Sequence, residues 1–332
     1  METSWEGILG QEEAVGRLKR MLAENRLPHA LLFYGPDGVG KRRTAQALAA
    51  ALLCMSSEDG EPCGQCGSCR AMADGTHPDF YVVEPESAGR AAKSIKIEQI
   101  RELEREIGRV PKLSQRRAVL MDSVERMNEA AQNSLLKTLE EPTGDVVFIL
   151  VTSAKQALLD TIVSRCLLLP FAPLKEETLV KLLGVRGISE SDAQGIAPLS
   201  GGSLGRAVRL LDEGALSIRD EVLGLLKRFK NMPLSDVWTE GERLGKCRQE
   251  ELADRICYLR LLIRDMLALY SGAEVSQKDL AGELGRLLSD FSEARLFELM
   301  ELTKELERRI TGSNANARLQ IEAYLIRACG NK

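Results

Sequence analysis

The sequence predicts an α/β domain built on a parallel sheet, followed by a stretch made of helices alone. Three observations predict it. Short apolar runs alternate with amphipathic helical segments up to about residue 170. The first run ends at Gly35-Pro36-Asp37-Gly38-Val39-Gly40-Lys41, a glycine loop of the kind that joins a strand to a helix around phosphate. Past Pro170-Phe171-Ala172-Pro173 only helical patterns remain.

Residues 30–34 (ALLFY) form a short apolar run and predict a buried strand. The helix after the loop carries Ala45, Leu48, Ala49, Leu52 and Leu53 on one face. Residues 79–84 (DFYVVE) are the second strand. Residues 97–107 are an amphipathic helix with Ile97, Ile100, Leu103 and Ile107 aligned, and Pro111 lies beyond its end. Residues 118–121 are a strand ending at Asp122, and residues 127–141 are a helix stopped by Pro142. Residues 146–151 are strongly β-branched, and residues 166–169 supply the last strand. This order gives a parallel sheet with helices on both faces, and a ligand belongs at the carboxyl ends of its strands. A small helical group follows over residues 175–212, broken at Gly201-Gly202, and a longer one runs from residue 216 to 332. The expected domains are residues 1–172, with a small metal module at 54–69, then an all-α lid at 173–213 and an all-α C-terminal domain at 214–332.

The chain has 332 residues, enough for two or three domains. Its 45 basic and 49 acidic residues leave a net charge of −4, which argues against a free-standing duplex-DNA binder. The longest apolar run, residues 45–55, is too short to span a bilayer and contains Gln46. No signal-peptide core opens the sequence, so the expected compartment is the reducing cytoplasm, where clustered cysteines indicate metal before disulfides.

Within the loop, Gly35, Gly38 and Gly40 let backbone N–H groups face phosphate oxygens, and Lys41 reaches the outer phosphates. The full pattern continues with Ser or Thr, whose hydroxyl holds Mg²⁺; here Arg42 follows. Thr44 lies two positions later, so on a helix turning about 100° per residue it faces away. The loop is expected to hold phosphate without hydrolysing it, with ATP or ADP as the candidate ligand.

Cys54, Cys63, Cys66 and Cys69 read C-x8-C-x2-C-x2-C, with Gly60, Pro62, Gly64 and Gly67 supplying turns. Four thiolates fill a tetrahedral structural zinc site. An iron–sulfur cluster is the competing metal reading, and unmetallated thiols are the third. Cys166, Cys247, Cys257 and Cys329 are scattered, and buried structural thiols are expected there. His29 and His77 are the only histidines, and structural hydrogen bonding is expected for both. Arg101, Arg105 and Arg109 form a stripe beside Lys112, Arg116 and Arg117. It either faces phosphates or pairs with the interleaved Glu102, Glu104 and Glu106, and pairing is the expected reading.

Several strings occur in a telling order: Ile8-Leu9-Gly10-Gln11, RLPHALLFYGPDGVGK at 26–41, the four cysteines, Gly75-Thr76-His77-Pro78-Asp79, NSLLKTLEEP at 133–142 and Ser164-Arg165-Cys166. Over residues 1–212 they resemble the bacterial clamp-loader subunits of DNA polymerase III, a branch of the AAA+ ATPases. The resemblance implies a role in DNA replication within a hetero-oligomeric ring. That ring loads the sliding clamp onto primed DNA, with gamma/tau and delta subunits as partners and no membrane contact. Two kinds of subunit share these strings: a gamma or tau motor that hydrolyses ATP, and a delta-prime stator that keeps the fold and often loses the chemistry. Three departures resemble the stator. Arg42 replaces the metal-binding hydroxyl. The strand-end motif reads Asp122-Ser123-Val124-Glu125: the resemblance leaves Asp122 able to face a metal, but Ser123 stands in place of the water-polarising acid. Glycine stands at the second sensor position of Gly202-Ser203-Leu204-Gly205-Arg206-Ala207, with Arg206 one place later. Arg165 matches the motif by which one family member reaches a neighbour's ATP site, so the resemblance implies a catalytic arginine acting in trans. An active motor ATPase of the same family and a stand-alone nucleotide sensor or scaffold are the rival readings.

Overall fold

The structure is a computed structural model that describes residues 3–86, 94–142, 144–212, 214–247, 249–312 and 316–330. The chain forms two compact units: Met1–Leu182 with Gly202–Arg206, and Leu183–Gly201 with Ala207–Lys332.

The first unit is built on five strands: β1 (Ala30–Tyr34), β2 (Phe80–Val83), β3 (Arg117–Met121), β4 (Val146–Thr152) and β5 (Leu167–Pro170). Their order is β2-β3-β4-β1-β5 and every pairing is parallel. Helix α1 (Glu12–Ala23) precedes β1, and between the strands lie α2 (Lys41–Leu53), α3 (Gly67–Asp74), α4 (Ile97–Ile107), α5 (Glu129–Glu140) and α6 (Asp160–Val163). Successive strand residues point to opposite faces. Leu31, Phe33, Ala118, Leu120 and Ile149 therefore pack with Ala45 and Leu48 of α2 and Leu18 of α1. Leu32, Val119, Met121, Phe148 and Leu150 pack on the other face with Ile100 and Leu103 of α4, Leu135 of α5 and Ile162 of α6. Burial on both faces is why β3 and β4 read as continuous apolar runs and not as alternating ones. This is the parallel sheet flanked by helices on both faces that the sequence predicts.

The element ends differ from expectation in two informative places. α5 begins at Glu129 because the Asn128 side chain accepts the Ala131 N–H at 2.9 Å, an N-cap that ends the preceding turn. β5 extends to Pro170, which is tolerated because β5 is an edge strand and pairs only with β1.

Beyond β5 the described residues contain helices and no strand: α7 (Glu176–Val185), α8 (Glu190–Ile196), α9 (Leu204–Asp212), α10 (Ala215–Arg228), α11 (Leu234–Gly245), α12 (Gln249–Tyr270), α13 (Ala281–Leu287), α14 (Glu293–Gly312) and α15 (Ala317–Cys329). Within the second unit α12 packs on α14, α11 on α15, and α10 on α12. Tyr324 is buried there, edge-on to Phe229, and shares a 3.0 Å hydrogen bond with the Thr303 hydroxyl. Among the described residues no helix is long and apolar enough to cross a membrane.

Candidate functional site

The glycine loop leaves the end of β1 and turns into α2. Two of its glycines are dictated by space as well as by backbone angle. A Cβ on Gly35 would lie 2.1 Å from the Phe171 carbonyl oxygen, and one on Gly38 would lie 2.4 Å from the Ser203 hydroxyl. The Gly205 N–H donates to the Gly38 carbonyl at 3.3 Å, so the turn at 202–206 caps the crest of the loop. Gly40 is left-handed and opens α2.

Lys41 is buried and turned back on its own loop. Its Nζ donates to the Gly35 carbonyl at 2.8 Å and to the Pro36 carbonyl at 2.6 Å. Burial pushes its pKa down, against the opposing charges of Asp37, Glu125 and Asp122. The Thr44 hydroxyl donates to the Gly40 carbonyl at 3.0 Å, four residues back along the helix. It is therefore engaged with the helix backbone.

Arg42 reaches across the carboxyl ends of β2 and β3. Its guanidinium donates to Asp122 Oδ2 at 3.0 Å and forms an ion pair with Glu84. Ser123 follows Asp122 in a left-handed conformation, φ 55° and ψ 47°, at the turn out of β3. Glu125 accepts from the Thr152 hydroxyl at 2.8 Å and the Ser153 hydroxyl at 2.7 Å. Burial would raise its carboxyl pKa, but these bonds, led by Ser153, hold it below the ordinary value. The donor set does not fit Mg²⁺. The hydroxyl ligand is replaced by a cation, and that cation is paired with the strand-end carboxylates.

Arg206 lies in the first turn of α9, exposed, with its N–H donating to the Ser203 hydroxyl at 3.0 Å. Arg165 sits between α6 and β5. Its Nη2 is 2.5 Å from Glu140 Oε1, at the end of α5, and its Nη1 donates to the Thr161 carbonyl at 3.0 Å. Cys166 beside it is buried in the core, which raises its thiol pKa to about 12 and marks it as a packing residue.

The four-cysteine module follows α2. All four Sγ atoms lie within 4.8 Å of one another, and the Cys54–Cys66 and Cys63–Cys69 pairs are each 3.9 Å apart. A tetrahedron of Zn–S bonds near 2.3 Å has edges of about 3.8 Å. Backbone N–H groups of Ser56 and Cys63 donate to Cys54, that of Cys66 to Cys63, and that of Cys69 to Cys66. Four convergent sulfurs with amides aimed at three of them form a cluster able to hold a metal ion, and the donor set fits zinc.

The Thr-His-Pro-Asp segment ties this module to the sheet. His77 Nδ1 accepts the Asp79 N–H at 3.1 Å, so its proton is on Nε2, facing the Ser68 hydroxyl at 2.9 Å. Ser68 in turn donates to the Leu53 carbonyl at 2.7 Å. Asp79 is fully buried, and its carboxylate accepts the N–H groups of Lys112, Leu113 and Ser114 at 2.7, 2.7 and 2.8 Å. His29 meets the Leu139 carbonyl at 3.1 Å. Both histidines are thus structural. In the arginine stripe, Arg109 pairs with Glu106, Arg105 Nε donates to the Arg101 carbonyl, and Glu104 accepts from Thr138 of α5. These are contacts within the α4–α5 layer.

Sequence reasoning gave no role to Glu84, Glu140, Asp79 or Glu125, although Asp79, Glu125 and Glu140 stand inside the strings that carry the resemblance.

The family described as DNA polymerase III, delta subunit, matches residues 10–175. The DNA polymerase III subunit delta' of Pseudomonas aeruginosa is 33% identical over 311 residues, covering 90% of each chain. That of Bacillus subtilis is 33% identical over 282 residues, covering 82% of each. The Bacillus subtilis subunit tau is 28% identical over 356 positions, covering 98% of this chain but 61% of tau. A matched family and near-full-length likeness to delta' on both sides lead to one conclusion: the chain belongs to the delta-prime family of DNA polymerase III subunits.

Proposed function

We propose that this chain is the stator of a DNA polymerase III clamp loader. It works in the cytoplasm as one member of a ring with gamma/tau and delta subunits, which opens the sliding clamp and places it on primed DNA. Its own phosphate loop (Gly35, Gly38, Gly40, Lys41) turns over no ATP, and Asp122 and Arg206 are remnants of the motor's site. Arg165 acts in trans, on nucleotide held by a neighbouring motor subunit. Residues 173–213 serve as the lid, residues 214–332 as the oligomerising collar, and a structural zinc holds the module at 54–69.

The observation that carries this reading is Arg42 paired to Asp122, where a motor needs a hydroxyl and a metal. Arg165 is in keeping with it: it lies outside the core, and its guanidinium is held by Glu140 and the Thr161 carbonyl oxygen. A planar guanidinium grips phosphate oxygens at two points, and an arginine supplied in trans is worth about 10³–10⁵ in rate at the site it serves. The test is reconstitution with motor and delta subunits, scoring assembly and ATP turnover separately. The isolated chain is expected to show no turnover. Arg165→Ala is expected to assemble normally and to lower the clamp- and DNA-stimulated turnover in part, because the motors supply their own arginines elsewhere. Unchanged turnover in an assembled complex, or turnover by the isolated chain that Lys41→Ala abolishes, overturns the reading.

A further inference from the structure

The geometry points to Arg42 as the resident cation of the phosphate site, standing permanently in the place of the divalent metal. The parallel register pairs Val83 of β2 with Met121 of β3, and the Asp122 N–H donates to the Val83 carbonyl at 2.9 Å. The next residues along, Glu84 and Asp122, therefore leave adjacent strand ends, about 4.8 Å apart by the spacing of neighbouring strands. Two carboxylates so placed repel unless a cation sits between them. In a phosphate-loop site such a cation is Mg²⁺, steadied by the hydroxyl that follows the loop lysine. Here the residue at that hydroxyl position supplies the cation itself: one guanidinium contacts both acids.

The substitution at position 42 thus changes two things at once. It removes a metal ligand, and it delivers a tethered positive charge to the remaining acid. Divalent metal gains nothing at Asp122 while Arg42 is present, because it would have to displace a cation attached to the same helix turn as Lys41. Phosphate-bearing ligands that reach the loop meet Lys41 and Arg42, and divalent metal adds nothing to their binding. The absence of the hydroxyl alone would leave Asp122 and Glu84 free to recruit metal weakly. The guanidinium closes that option.

The probe is a fluorescent ADP analogue titrated into the full chain with Mg²⁺ or in buffer freed of divalent ions by resin, without a chelator that would strip the four-cysteine module. Because the assignment rests on the phosphate-loop reading above, metal dependence is measured and not turnover, so a failed trans role for Arg165 leaves this outcome untouched. The native chain is expected to show no stimulation by Mg²⁺ beyond about twofold. Arg42→Thr, which restores the loop's hydroxyl, is expected to gain at least about tenfold Mg²⁺-stimulated binding, lost again in Arg42→Thr/Asp122→Asn. Arg42→Lys keeps a cation and is expected to behave like the native chain. Mg²⁺-stimulated binding by the native chain that Asp122→Asn abolishes overturns the proposal, and this arm decides it even if the threonine variant does not fold. A folded Arg42→Thr chain with no Asp122-dependent metal effect overturns it as well.

Discussion

Asp79 is the side chain whose loss the structure lets one price most closely. It is fully buried, and its two oxygens accept three backbone N–H groups from the segment entering β3: Lys112 on Oδ1, and Leu113 and Ser114 on Oδ2. Hydrogen bonds to a charged group contribute about 1.5–3 kcal/mol each. Three of them set an upper bound of about 4.5–9 kcal/mol. Asp79→Ala will cost less than that bound, because residues 110–113 lie partly in solvent and water can reach some of the freed amides. About 3–4 kcal/mol is the expected loss. Asp79→Asn gives a sharper test. Its single acceptor oxygen can face Leu113 and Ser114 and keep two bonds, while its NH₂ group then opposes the Lys112 N–H. The expected cost is one bond, about 1.5–3 kcal/mol. Urea unfolding of the full chain gives the order native, Asn, Ala, and hydrogen exchange should show faster exchange confined first to Lys112 in the Asn variant. An Ala variant within about 1 kcal/mol of native, or an Asn variant as damaged as Ala, would refute the carboxylate clamp.

Other consequences can be measured on the same preparations. Elemental analysis should give about one zinc per chain; Cys66→Ser should lose it and open residues 54–69 to protease while the sheet stays folded, and a metal-free module that resists protease equally well would refute the assignment. Glu140→Gln should change stability by less than about 1 kcal/mol, since a half-exposed ion pair contributes about 0–1 kcal/mol. It should leave the turnover of the assembled complex at or above native, whereas a fall as deep as that of Arg165→Ala would make Glu140 a required partner. Burial lowers the His77 pKa below its ordinary 6.5, against the opposing charge of Asp79, so the unfolded chain takes up a proton first on acidification. Stability is then fully present above about pH 6.5 and falls as pH drops towards the folded-state value; a urea midpoint that rises on acidification, or a slope unchanged in His77→Gln, would contradict this. Asp79 acts in the same direction at lower pH: burial alone would raise its pKa, but the three amides led by Ser114 outweigh it, so its contribution is lost only in acid.

What the sequence showed of this architecture follows from how local each signal is. Buried parallel strands leave contiguous apolar runs, so residues 30–34 and 146–151 were legible without tertiary information. The cysteine spacing was legible because two of its three gaps are turns short enough to fix geometry. Helix α1 was not, since only Ala14 and Leu18 of its twelve residues are buried and the stripe is too thin to stand out. Glu84 was not, because it meets Arg42 only through the β2–β3 register. Asp79 looked like the first residue of a strand, whereas its carboxylate is occupied by a segment more than thirty residues later.

The two arginines at the heart of the functional reading are held in ways that differ in kind. Arg42 meets two acids whose backbones are fixed by the parallel ladder of β2 and β3, so moving it would leave two like charges facing each other. Arg165 meets one acid, at the carboxyl end of α5, and one carbonyl oxygen at the start of α6. Releasing it costs roughly what a surface ion pair contributes, about 0–1 kcal/mol, and leaves an exposed glutamate that water can solvate. The trans role proposed for Arg165 needs this kind of weak retention, because any tighter hold on its guanidinium would be subtracted from what it gains at a neighbour's phosphate. A residue that replaces a metal needs the opposite. The difference in retention makes the order of effects testable: Glu140→Gln should leave the behaviour of position 165 nearly unchanged, while Glu84→Gln should loosen Arg42 and make the site measurably more responsive to Mg²⁺ than in the native chain. If Glu84→Gln leaves that response unchanged, Glu84 is not what holds the cation, and the distinction between a fixed and a mobile arginine fails.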